Sequence, residues 1–303
     1  MNEKRAEILL ASVIIARSTS LLFSKISLAV FGPFNLLAVR FGLAFALLAV
    51  IAGKRWRRLT PAVLGMGALL GLTFFAVMAL EMQALMRTDS STTSFLENTA
   101  IVWVPLMSAA IVRRRPSGTV IGASGLTLLG VGCLTVGKSG FSIGTGQMIC
   151  LAASLFYAGA IVMTARFSKK GDALMLGIIQ IGVMALCAGI ASFMTETPRL
   201  PAALGEMGPI LYLAVICSVF GFTLQPVAQK RISAEKAGLF CALSPLSASL
   251  MGIIFLHESV SGLSLAGSFL ILAGILGGSG LVSGFVSHMT SGRKVHRPAL
   301  RLS

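Results

Sequence analysis

The chain has 303 residues, of which 55% are hydrophobic and only 12% charged. A soluble domain carries roughly 25% charged residues, and a globule of this size has too much surface to cover with so few. Its 25 Lys and Arg against 10 Asp and Glu give a net charge of +15; the composition excludes a soluble enzyme, a nucleic-acid binder and a disordered chain, and leaves a polytopic membrane protein whose basic excess sits in loops on one side.

Ten apolar segments follow, at 8–27, 35–53, 61–84, 92–112, 119–137, 145–166, 173–194, 207–228, 236–256 and 261–284. Each is near the roughly 20 residues that cross a hydrocarbon core. The first is the weakest, because Arg17 interrupts it. Lys4 and Arg5 ahead of Ile8–Ile15 resemble the start of a signal peptide, but no small-residue cleavage site follows, so the segment reads as a retained helix. The N-terminus and alternate loops hold Lys4 and Arg5, Lys54 to Arg58, Arg113 to Arg115, Arg166, Lys169 and Lys170, and Lys230, Arg231 and Lys236. With four more in the tail they make 19 of the 25 basic residues. This one-sidedness predicts cytoplasmic termini and an even number of spans. Cys133, Cys150, Cys187, Cys217 and Cys241 lie in apolar runs without a C-x-x-C, as buried thiols do. No phosphate-cradling loop is present, which argues against an ATP-driven pump.

The chain matches itself at one offset of 144 residues. Phe23-Ser24-Lys25 meets Phe167-Ser168-Lys169, Leu80, Ala84 and Arg87 meet Leu224, Ala228 and Arg231, and Gly130 meets Gly274. Five helices per half is an odd number, so the second half would enter the bilayer inverted. Inverted repeats are the architecture of many secondary transporters. The expected organisation is a first repeat at 1–140, a second, inverted repeat at 141–286 and a basic, disordered cytoplasmic tail at 287–303.

A charge within hydrocarbon usually faces a cavity or a partner. Arg40, Glu81 and Glu97 fall at nearly one depth on three helices, roughly 5–8 Å inside one end at 1.5 Å per residue. They read as a polar cluster that binds substrate or carries a proton; the competing reading is a structural ion pair between Arg40 and Glu97. Arg17 lies near the middle of the first helix, too deep to snorkel, and suits a substrate carboxylate or phosphate. Its competing reading is a permanent pair with Glu97 or Glu81. Lys25 is placed to snorkel. Asn98 and Gln225, the latter at the repeat position of Glu81, join the substrate-binding or translocation set. Ser18, Thr19, Ser94, Trp103, Tyr157, Gln180 and Pro245 are candidate cavity-lining residues, with packing the competing role for the two aromatics. None of His257, His288 and His296 has a metal-ligand or catalytic pattern.

The motifs A-R-S-T-S-L-L-F-S-K at 16–25, V-R-F-G-L-A-F-A at 39–46 and A-Q-K-R-I-S-A-E-K-A-G-L at 228–239 lead through Ser244-Pro245 to L-H-E at 256–258 and G-S-F-L-I-L-A-G-I-L from 267. With them the sequence resembles an EamA-type member of the drug/metabolite transporter superfamily over essentially its whole length. The resemblance implies an all-α membrane protein of ten transmembrane helices in two inverted five-helix repeats, and export of small metabolites. Departures stand beside it: Ala16-Arg17 replaces the family's Trp-Gly, and the basic run at 113–115 replaces an acidic residue that Glu258 keeps in the second half.

The expected function is therefore a secondary transporter. It moves amino-acid-like or related polar metabolites across the plasma (inner) membrane by alternating access, as an exporter. An importer of a vitamin or organic anion is the alternative. An ion channel and an intramembrane enzyme are the readings from other classes; the second lacks any intramembrane His. The partners expected are a small-molecule substrate, the lipid bilayer and protons as a coupling ion. No cofactor, metal or nucleic acid is expected, and the state is a monomer or weak dimer.

Overall fold

The computed structural model describes residues 1–88, 90–113, 115–135, 144–247 and 262–279. The tail at 287–303, His257, Glu258, Asp89 and Lys138 lie outside the described residues, as does the second part of the segment expected at 236–256.

Helices α1 (Glu3–Ser18) and α2 (Ser20–Ser27) form one apolar rod broken at Thr19. Helix α3 (Pro33–Ala52) ends in a 3₁₀ stretch, Gly53–Arg58, before α4 (Pro61–Leu85). A second broken rod joins α5 (Ser90–Asn98) to α6 (Ala100–Val112) across Thr99. Then come α7 (Gly118–Thr135), α8 (Thr145–Lys170) and α9 (Ala173–Thr195). A third composite rod runs from α10 (Leu204–Tyr212) through a π-helical stretch, Leu213–Phe222, into α11 (Thr223–Gln229). Helices α12 (Ala234–Phe240) and α13 (Gly262–Ser279) complete the described elements.

Seven of these rods are long and apolar enough to cross a bilayer: Glu3–Ser27, Pro33–Arg57, Pro61–Leu85, Thr93–Val112, Thr145–Lys170, Ala173–Thr195 and Gly205–Gln229. Gly118–Cys133 and Leu265–Gly277 are shorter apolar helices. The helix starts follow local chemistry. Thr60 accepts from the Val63 N–H and Asp172 from those of Leu174 and Met175, while Pro33 and Pro61 open their helices where no N–H is needed. The start of α3 is closed from afar: both carboxylate oxygens of Glu196 accept there, from Phe34 N at 2.9 Å and Asn35 N at 2.7 Å. A Cβ at Gly32 would strike that carboxylate.

The burial pattern is that of a membrane protein. Val50, Phe193 and Met194 stand about four-fifths exposed on the outside, while Arg40, Glu81, Asn98 and Gln225 are buried. Apolar side chains outward cost nothing in lipid, and polar ones must find partners within. Small residues let helices approach. A Cβ at Gly67 or Gly71 of α4 would collide with Ile179 or Val183 and Gln180 of α9. Helices α7 and α13 pair closely, and the pairing is reciprocal. Gly130 of α7 lies against Gly267 and Ile271 of α13; Gly274 of α13 lies against Ala123 and Thr127 of α7. Each of the three residues in α13 is 144 positions beyond its counterpart in α7.

Candidate functional site

A cavity of about 40 Å³ opens between α1, α2, α3, α4, α5, α8 and the π-helical stretch. Arg17, Arg40, Glu81, Glu97, Asn98 and Tyr157 all line it, so the structure brings together six residues that the sequence singles out. Met78 and Phe222, which the sequence reading does not name, share the lining with Ser20, Cys241 and Ser244, which it names without placing them there.

Both arginines sit on neutral partners. Arg17 donates from Nη1 to Gln225 Oε1 at 2.6 Å, and its guanidinium lies 4.1 Å from the ring centre of Phe222, 5.6 Å from Tyr157 and 5.9 Å from Phe74. Aromatic faces stabilise a cation without neutralising it. The stem of Arg17 rests on Gly221, where a Cβ would come within 2.6 Å of its Cγ. Arg40, fully buried, donates from Nε to Ser218 Oγ at 2.8 Å and from Nη1 to Ser20 Oγ at 3.0 Å. The expected structural pairs, Arg40 with Glu97 and Arg17 with either glutamate, are not formed. Among the described residues neither Glu81 nor Glu97 holds an ion pair.

Local sequence explains how these partners are presented. Pro226 has no N–H to give the carbonyl four residues back, and that carbonyl, Phe222 O, accepts from Gln180 Nε2 at 2.9 Å. Gln180 is thus a fully buried tie between α9 and the third rod, outside the cavity lining. Ahead of the proline the helix widens to the π form, and Ser218 Oγ donates to Leu213 O five residues back while accepting from Arg40. Phe222 is held edge-on between Phe41 and Phe74, with centroids 5.6 and 5.3 Å away.

The remaining sequence-selected residues divide. Thr19 hydrogen-bonds Tyr212 at 3.0 Å and Ser18 bonds back to its own helix; both are buried beside the lining. Ser94 is buried, and its carbonyl accepts from Asn98 Nδ2 at 2.7 Å. Pro245 is buried next to the lining residue Ser244. Trp103 does not line the cavity; its side chain is 41% exposed on α6, facing outward as an interfacial or lipid-facing aromatic does. Lys25 is exposed and donates to Leu85 O and to Thr88 O at the end of α4. The five cysteines are free thiols.

The family model for EamA-like transporters matches twice, over residues 4–136 and 144–279. The chain belongs to the EamA-like transporter family. An uncharacterized transporter of Archaeoglobus fulgidus is 28% identical over 298 residues, covering 91% of this chain and 97% of that one. The uncharacterized transporter YcxC of Bacillus subtilis is 27% identical, covering 93% and 92%. A crystal structure superposes with a TM-score of 0.77 over 93% of this chain and 99% of its own, at 18% identity, which establishes a shared fold. This EamA-like protein is a multi-pass membrane protein of a family of transporters.

Proposed function

We propose that this EamA-like protein is a secondary transporter that carries small zwitterionic or neutral polar metabolites, amino-acid-like compounds among them, by alternating access. In this reading it has ten spans in two inverted five-helix repeats, cytoplasmic termini, a plasma-membrane location and export as its direction. The observation that carries it is the cavity itself: two guanidinium and two carboxylate groups face one space, are balanced in total and are unpaired with one another. Permanent internal pairs would have spent those charges; neutral partners leave them for a solute that brings one charge of each sign.

The repeat reading is supported by the two family matches at 4–136 and 144–279 and by the reciprocal contacts of α7 and α13. Cavity positions support it too: Met78 and Phe222, and Glu97 and Cys241, are pairs at the 144-residue offset that line the same space. Two bundles of related shape around one site can rock between openings to either side. Protons are the coupling ion of this reading, with Glu97 as their carrier.

The test is counterflow in proteoliposomes with a panel of labelled amino acids, nucleosides and organic acids. A carrier takes up label saturably and faster when unlabelled solute fills the lumen. Arg17→Lys, which keeps the charge but loses the planar fork, raises the half-saturating concentration about tenfold, the worth of one weakened charge-assisted contact. Flux that neither saturates nor responds to solute on the far side would support a channel instead.

A further inference from the structure

Beyond the balance of charges, the lining is sorted by chemistry. The cationic groups come from α1 and α3: Arg17 and Arg40, both engaged with neutral groups. The acceptors come from α4 and α5: Glu81, Glu97 and Asn98. Glu81 and Asn98 are each 4% exposed. Asn98 spends its NH₂ on Ser94 O, which leaves Oδ1 without a hydrogen-bond partner although the residue lines the cavity. Neither carboxylate comes within ion-pair distance of a cation among the described residues, although Arg17 and Arg40 line the same cavity. A buried carboxylate without a partner is costly, and an orphaned amide oxygen adds its own desolvation cost. Three acceptor groups that line one cavity and have no hydrogen-bond donor among the described residues describe the surroundings that a bound cation would complete.

We propose that Glu81, Glu97 and Asn98 Oδ1 form a cation subsite, which takes the ammonium group of the transported solute or a monovalent metal ion travelling with it. The subsite rests on the transport reading above and deepens it. An ammonium donates three hydrogen bonds, and the subsite offers three separate acceptor groups. A sodium ion would be met by the same oxygens, since carboxylate and amide oxygens suit hard cations. Arg17, in the same cavity, is then left for the anionic end of the solute, and its neutral partner Gln225 keeps that positive charge available.

The experiment measures thermal stability of the purified full-length protein with increasing methylammonium chloride or sodium chloride, balanced to constant ionic strength with N-methylglucamine chloride. It is run at pH 6 and pH 8.5, and counterflow is measured on the same preparation. Among the described residues, the groups near the subsite that titrate or carry charge are Arg17, Arg40, Tyr157, Cys150, Cys217 and Cys241 together with the two glutamates. A saturable rise in melting temperature, larger at pH 8.5 because a protonated carboxylate cannot hold a cation, is the expected result. Asn98→Ala weakens it about tenfold, as for loss of one hydrogen bond to a charged group, and Glu97→Gln at least as much. Stabilisation by sodium with sodium-dependent counterflow assigns the metal ion; stabilisation by methylammonium alone assigns the solute's ammonium. No stabilisation of the wild-type protein by either salt at either pH overturns the subsite, and active counterflow in that case leaves the transport reading standing. An undiminished effect in Asn98→Ala overturns the part given to its oxygen.

Discussion

The two halves of the chain contribute to the cavity unequally. Arg17, Arg40, Glu81 and Glu97 all belong to the first half; the residues 144 positions further on are Ile161, Met184, Gln225 and Cys241. The contrast is with α7 and α13, where equivalent positions make equivalent contacts in both directions. At this one contact positions of the two halves pack alike, while their cavity chemistry differs. The first half provides charge. The second provides most of what holds the charge in place without cancelling it: Gln225 and Phe222 for Arg17, Ser218 beside the first half's Ser20 for Arg40, and Gly221 as the floor for the arginine stem.

The sharpest way to break this comparison is to exchange related positions across it. Glu97→Gln is expected to abolish the dependence of net transport on the proton gradient while exchange at saturating solute survives, and Cys241→Ser, which keeps a small hydrogen-bonding group beside Tyr157 at the related position, to change transport less than about twofold, a few tenths of a kcal/mol. Equal losses in the two variants would erase the asymmetry. Gln225→Glu puts a carboxylate under Arg17 and spends its charge in a buried ion pair. Solute affinity is expected to fall by about 10–100-fold, the range for one buried charged contact, with the fold retained. Unchanged binding isotherms would show that Arg17 does not need a neutral partner.

Away from the cavity the comparison predicts likeness. Gly130→Leu and Gly274→Leu each force a side chain into the same reciprocal contact, and each is expected to cost about 1–3 kcal/mol. Denaturation in detergent checks whether the two agree; a cost confined to one would mean the contact is not equivalent. The smallest effect belongs to Lys236, which pairs with Glu3 at 2.6 Å and Glu7 at 3.2 Å, joining α12 to α1 at a partly exposed edge. Lys236→Met is expected to cost about 0.2–1 kcal/mol, as exposed pairs do, and a loss of folding would contradict that ranking.

Length and hydropathy were enough to place α3, α4, α8 and α9 to within about a turn, because a bilayer demands long unbroken apolar runs and Pro33, Pro61 and Asp172 mark their starts. The breaks at Thr19 and Thr99 and the π-helical stretch at 213–222 were hidden, since hydropathy runs across them without a dip. Arg17, Arg40, Glu81 and Glu97 were conspicuous as charges in apolar surroundings. Their partners were not: pairing is decided by which helices meet, so Arg40 was readable as the partner of Glu97 and instead rests on Ser218 and Ser20. Phe222 and Cys241 looked like ordinary core residues, although the offset that relates them to Met78 and Glu97 was a signal in the sequence. Trp103 carried only its residue type as evidence, and that did not place it at the cavity.

Cys241 offers the most direct measurement, because it lines the cavity and is a free thiol. In a protein whose other four cysteines are replaced by alanine, a membrane-impermeant maleimide is applied from one side of sealed vesicles and then from the other, with and without a solute identified by counterflow. Alternating access around this cavity predicts modification from both faces, slowed from both by the solute. Modification from one face only, or a rate untouched by a solute the protein demonstrably carries, would contradict the claim that this cavity is the transport site.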